Sequence, residues 1–170
     1  MQRISCDCQD CRDACKHKPG WLRYGDEQKI AAKLQISVRK LFNDFLIIEY
    51  MHREDHTYYF ILSPCPVHLP PGSLMPIFES IGRCIFLTSD EKCRIHEVSP
   101  LECQLSIHSM TEDEGRKNHF DIAKTWDNEE AQLLIRDLYG SIPVVERPDI
   151  FQVLSFETQH ALRELRFAKR

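Results

Sequence analysis

Apolar positions change period along the chain, and the changes mark its elements. Ile30 and Leu34 lie four apart with Ala31 beside them, which predicts a short amphipathic helix over 26–34. Ser37 stands where it can cap a second helix that carries Leu41, Phe42 and Phe45 on one face. Thr57 to Leu62 is rich in β-branched and aromatic residues and predicts a strand. Leu46 to Met51 supplies its partner in a hairpin, and His52-Arg53-Glu54-Asp55-His56 is the polar turn between them. From Ser63 to Pro76 five prolines and Gly72 predict an irregular loop. In the last third, Asp127 with Glu130 reads as a capping box, and Ala131, Leu134, Ile135 and Leu138 mark one helical face that Gly140 ends. Ile150, Phe151, Val153, Leu154, Leu162 and Leu165 predict a further long helix from Pro148 to about Ala168. The expected class is α+β, mainly helical, with a short β-hairpin and C-terminal helices.

Residues 6–15 break this pattern. Cys-Asp-Cys-Gln-Asp-Cys-Arg-Asp-Ala-Cys is dense in thiols and charge, lacks apolar periodicity and reads as a ligand loop. Cys6, Cys8, Cys11 and Cys15 are answered downstream by Cys84, Cys93 and Cys103, with Cys65 between them. A chain of 170 residues can bury a core without covalent staples, so the disulfide reading is weak. The opening residues Met1 to Cys6 show no apolar leader segment, and a reducing, cytoplasmic compartment is the expectation. No apolar run approaches the roughly 18 residues of a membrane span, so no membrane partner is expected. A net charge of -4 gives no general attraction to nucleic acid, and Arg163, Arg166, Lys169 and Arg170 read as a helix end that complements the macrodipole.

Clustered reduced thiols are expected to be metal-binding or catalytic rather than bridged, and their spacing favours metal ligands over buried small hydrophobes. Cys8 and Cys11, two residues apart, form a chelating pair because the intervening backbone turns its N–H groups toward the sulfurs, and Cys15 can reach the same centre. Ile85, Phe86, Leu87 and Ile95 flank the second group and would exclude water. Cys65 sits rigidly between Pro64 and Pro66 as an extra ligand or a buried loop thiol. Four thiolates satisfy zinc or an iron–sulfur cluster, and eight cysteines would fill two such sites or leave spare thiols. Zinc ribbons usually present two Cys-x-x-Cys knuckles; this chain has one, and its other ligands are irregularly spaced, which favours iron–sulfur. His17, His96 and His108 lie near cysteines but read as solvated or structural, and His52, His56, His68, His119 and His160 have less support. Glu112, Asp113 and Glu114 read as a solvated helix start, and Trp21 and Trp126 as core or lid residues. No phosphate-binding glycine loop, nucleophile elbow or metalloprotease motif is present.

These residues resemble the YkgJ-type cysteine-cluster family, described as zinc- or iron-chelating. Its pattern runs C-x-x-C-x-x-C-C, then a glycine with C-x-F-L, then C-x-I-Y-x-x-R-P-x-x-C. Cys8, Cys11 and Cys15 fit the first cluster; Gly82, Cys84, Phe86 and Leu87 the second; Cys93, Ile95, Pro100 and Cys103 the last, all within residues 6–104. Ala14 replaces one cysteine of the adjacent pair, His96 the tyrosine and Ser99 the arginine, so a rearranged ligand set is expected. The resemblance implies a thiolate-held metal centre that staples the domain. Residues 1–104 form the metal-binding region, and helical residues 105–170 pack on it and offer a surface for a protein partner. Redox, sensing or metal handling is the expected role. The alternatives are an iron–sulfur-assisted transferase or oxidoreductase, as in the related flagellin lysine methylase, and a structural zinc module for protein interaction.

Overall fold

The structure, a computed structural model, describes residues 9–52, 58–105 and 111–140, with side chains described from residue 12 onward and that of residue 52 excepted. Helix α2 spans Asp26–Leu34 and α3 spans Val38–Phe45, as the period predicts. Ser37 caps α3, its hydroxyl accepting the Lys40 N–H at 3.1 Å, and Leu41 and Phe42 are fully buried. Strand β1 (Leu46–His52) pairs antiparallel with β2 (Tyr58–Pro64), Leu46 opposite Pro64 and His52 opposite Tyr58, which is the expected hairpin. Its turn, 53–57, lies outside the described residues.

The irregular loop expected over 63–76 is corrected at both ends. β2 continues through Ser63 to Pro64, and β3 (Ser73–Pro76) pairs parallel with β1 to give the order β2-β1-β3. Proline is tolerated in β3 because this strand lies at the sheet edge and pairs on one side only.

The expected ligand loop is also corrected: Gln9–His17 is helix α1. Tertiary contacts hold this polar helix in place of an apolar face. Lys16 reaches Glu91, beyond the sheet, at 2.6 Å, and pairs within the helix with Asp13 at 2.8 Å. The carbonyls at its end, which have no partner within the helix, are taken by Lys18 N–H (to Ala14), Cys84 N–H (to Cys15) and Gly82 N–H (to His17) at 2.7–3.0 Å.

A 3₁₀ turn at His96–Val98 and the short α4 (Leu101–Leu105) precede α5 (Glu112–Lys124) and α6 (Glu129–Tyr139). The capping box belongs to α5, where Thr111 and Glu114 exchange side-chain-to-backbone bonds; the acidic run is a helix start, as expected. The box expected at Asp127 and Glu130 is replaced by a simpler cap one residue later, because Asn128 Oδ1 accepts the Ala131 N–H at 2.9 Å. Ala131, Ile135 and Leu138 are buried, and Gly140 ends α6. They share one core with Leu22, Ile30, Phe42, Ile48, Leu62, Phe86, Ile122 and Trp126, each fully buried apolar side chain contributing roughly 1.5–3 kcal/mol. The helix expected from Pro148 and the basic C-terminus lie outside the described residues. Among the described residues no helix is long and apolar enough to cross a membrane. The architecture is α+β and mainly helical.

Candidate metal centre

Four cysteines from separate stretches of chain come into mutual electrostatic reach. Cys15 sits on the last turns of α1, Cys84 and Cys93 in the turns that follow the sheet, and Cys103 on α4. The turns are shaped by backbone. Gly82 has φ +149°, and a Cβ there would stand 2.6 Å from His68 Cε1, so only glycine lets the chain enter this bend. Cys84 bridges Pro66, and Leu87 bridges Cys93, which folds the Cys-x-Phe-Leu stretch back on the second cysteine. Arg94 N–H donates to Phe86 O at 2.9 Å, Thr88 N–H to Lys92 O at 2.9 Å, and the Phe86 ring stacks on Phe45 with centroids 5.3 Å apart.

α4 is placed by a buried acid. Asp26, 3% exposed, accepts from the N–H groups of Arg23 and Leu101, each at 3.1 Å, and so fastens the start of α2 to the start of α4. Gly20 then lies directly on Cys103, where a Cβ would meet the sulfur at 2.5 Å.

The sulfurs are supplied with backbone donors. The N–H groups of Phe86 and Leu87 favour the charged form of Cys84, that of Ile95 the charged form of Cys93, and that of Gly20 the charged form of Cys103, as donation to a thiolate does. Such bonds stabilise a thiolate. Burial works against them and dominates: it raises the pKa of Cys15, Cys93 and Cys103, and pushes Cys84 up to about 12. The thiols add to this by repelling one another's charge, Cys93 acting on Cys15, Cys15 and Cys93 on Cys84, and Cys15 and Cys84 on Cys103. Without a cation these groups hold their protons; with one, the N–H donors and the shared burial become favourable. The donor set therefore fits a thiophilic metal. Among the described residues no three His, Cys, Asp or Glu side chains already stand close enough to hold a metal ion, so binding requires the sulfurs to draw inward or the first cluster to contribute.

The other expected ligands divide. Cys11 belongs to α1, one turn before Cys15, while Cys6 and Cys8 lie outside the described residues. Cys65 is fully buried, and its thiol donates to the carbonyls of Pro66 at 3.2 Å and Leu69 at 3.3 Å. Its own carbonyl accepts the Ile85 N–H, so its backbone supports the Cys84 turn. His17, His68 and His96 are exposed, and His119 pairs with Glu102. His56, His108, His160 and the His52 side chain lie outside the described residues.

Sequence reasoning missed a set of buried polar residues beside the thiols. Trp21, 1% exposed, donates its backbone N–H to Glu102 Oε2 at 2.5 Å and its indole N–H to Glu49 Oε2 at 2.8 Å. His119 bonds the other Glu102 oxygen, and its ring lies 4.8 Å from that of Trp21. Lys18 stands 5.7 Å over the Trp21 ring and donates to Ile77 O at 3.2 Å. Glu49 is fully buried, and burial raises its pKa against the opposing pull of the Lys18 charge and the Trp21 indole donor. The Ser63 and Ser80 hydroxyls point their protons at Pro64 O and Ile77 O, which leaves Glu49 Oε1 without a hydrogen-bond partner. The available signal was a glutamate within the apolar stretch Leu46 to Met51.

A family model described as "CxxCxxCC: Putative zinc- or iron-chelating domain" matches residues 7–128, and the chain belongs to that family. The match takes in Cys8, Cys11 and Cys15 together with the second thiol group, begins one residue after Cys6, and continues through α5. No curated protein and no solved structure matches the chain.

Proposed function

From membership of this zinc- or iron-chelating family, we propose that the chain holds a thiolate-bound metal centre on Cys15, Cys84, Cys93 and Cys103, completed by Cys8 and Cys11. The observation that carries this reading is the convergence of four buried or half-buried thiols from four stretches of chain, near enough for their charges to act on one another. Cys6 is a further candidate through its place in the first cluster. Cys65 serves as a buried strut, its single S–H facing the carbonyls of Pro66 and Leu69.

A bound iron–sulfur cluster would supply one-electron chemistry, and bound zinc would supply a structural charge. Irregular ligand spacing favours the cluster, with electron transfer, redox sensing or metal handling as its use. The protein's own residues would do three things: aim N–H groups at sulfur, exclude water with Phe86, Leu87 and Ile95, and hold the two halves of the chain together through Cys84 N–H on Cys15 O. A reducing, cytoplasmic setting suits thiols that are all unbridged among the described residues.

The test is metal and acid-labile sulfide content, with the visible spectrum, of protein purified without air. Iron and sulfide in comparable amounts in a brown sample support the cluster. Zinc without sulfide, unchanged by anaerobic reconstitution, keeps the thiolate centre and removes electron transfer. A sample that takes up neither metal overturns the reading.

A further inference from the structure

Cys103 differs from the other thiols in how its N–H donor arrives. Cys84 and Cys93 are served by residues two or three further along the same turn, so local chain geometry suffices. The backbone that meets the Cys103 sulfur is that of Gly20, whose Cβ position is 2.5 Å from Sγ and whose N–H favours the thiolate; it comes from a stretch more than eighty residues away in sequence, and something must hold that stretch in place. The residue next to Gly20 is held by the residue next to Cys103: Trp21 N–H donates to Glu102 Oε2. The second oxygen of Glu102 is engaged by His119 of α5. A carboxylate with both oxygens occupied cannot rotate away without breaking one bond, so the Gly20–Trp21 peptide is clamped against the first turn of α4. The fit is close. A Cβ on Gly20 would lie 2.5 Å from Cys103 Sγ, 3.0 Å from Cys103 N and 3.3 Å from Glu102 Cβ.

We infer that Glu102, steadied by His119, is a positioning residue of the metal centre that sets the Gly20 N–H on the Cys103 sulfur through the backbone of Trp21. The inference rests on the proposed thiolate centre and deepens it. Removing the clamp frees the peptide, weakens the N–H bond to one sulfur and alters that sulfur's donation to a metal. The expected scale is that of other groups behind a metal ligand, about tenfold or more in affinity.

The experiment titrates cobalt(II) into the full chain without air and reads affinity, the thiolate-to-cobalt charge-transfer band and the thermal midpoint of the metal-free protein. Glu102→Leu removes both acceptors at similar volume, Glu102→Gln restores an oxygen for Trp21 N–H, and His119→Phe keeps a ring on Trp21 while releasing Glu102. The expected result is a shifted band and about tenfold weaker binding in Glu102→Leu, a smaller shift in His119→Phe, and recovery in Glu102→Gln. A wild-type band and affinity in both Glu102→Leu and His119→Phe, whatever their thermal midpoints, overturns the inference and leaves the thiolate centre standing. If Glu102→Leu does not fold, His119→Phe decides by the same criterion. Absence of any charge-transfer band in the wild-type protein overturns the thiolate centre and this inference with it.

Discussion

The sheet and the thiol turns are built on opposite principles. In β1 and β2 every residue from Leu46 to His52 has a ladder partner, and Leu46, Ile47, Ile48, Ile61 and Leu62 are fully buried. Between Cys84 and Leu105 the chain has isolated bridges, a 3₁₀ turn and one five-residue helix, and its buried or half-buried groups include three thiols and Glu102. The first region is stabilised mainly by apolar area removed from water, with Glu49 as its buried carboxyl group. The second buries groups that burial disfavours when charged, and its N–H donors reach full value only against thiolates. The first region draws its stability from the polypeptide itself, and the second has the chemistry that the metal centre proposed above would complete.

The largest effect expected from this contrast comes from chelation of the metal or from Cys84→Ser. Thiolate centres contribute on the order of 10 kcal/mol to the folded state of small metal domains. Hydrogen exchange should show residues 84–105 losing protection while 46–64 keep theirs; equal loss in both would end the distinction between the regions. Next in size is Phe42→Ala, in the apolar core, expected to cost about 3–5 kcal/mol. Urea unfolding would measure it, and metal stoichiometry of the folded fraction should not change.

Glu49→Gln sharpens the contrast from inside the sheet. The folded-state pKa of Glu49 is raised by burial, so the stability this group allows is fully present below the ordinary carboxylate range and is lost as pH rises through the raised value. Glutamine does not titrate and can still accept from Trp21 Nε1. The variant should therefore melt higher than the wild type at about pH 8, with the gap closing as pH falls. A variant that melts lower at every pH would mean that the ionised carboxylate is an asset, held by Lys18. The smallest effect is at the periphery, where Thr111→Ala should cost about 1 kcal/mol through loss of the α5 cap, without a change in metal affinity.

Elements with a local cause were legible. Ser37 capping α3, the hairpin of 46–64 and the Ala131, Ile135 and Leu138 face of α6 follow from side-chain period and cap chemistry within a few residues. Helix α1 was not legible, because it lacks an apolar face and owes its end to carbonyls taken by the 82–84 turn. β3 was hidden by prolines that an edge strand accommodates.

The sequence by itself determined that this chain carries two thiol groups at the spacing of a zinc- or iron-chelating family, since that information resides in residue identity and interval. It also determined the elements with a local cause, α2, α3, the β1–β2 hairpin and α6, because period and capping act over a few residues. Tertiary structure alone decided that Asp26 would fix α4, that Gly20 would press on Cys103, and that Trp21 would join Glu49 to Glu102. Those pairings link residues 28 to 83 positions apart. No local propensity encodes them; they arise when burial forces polar groups to find partners wherever the folded backbone has brought them.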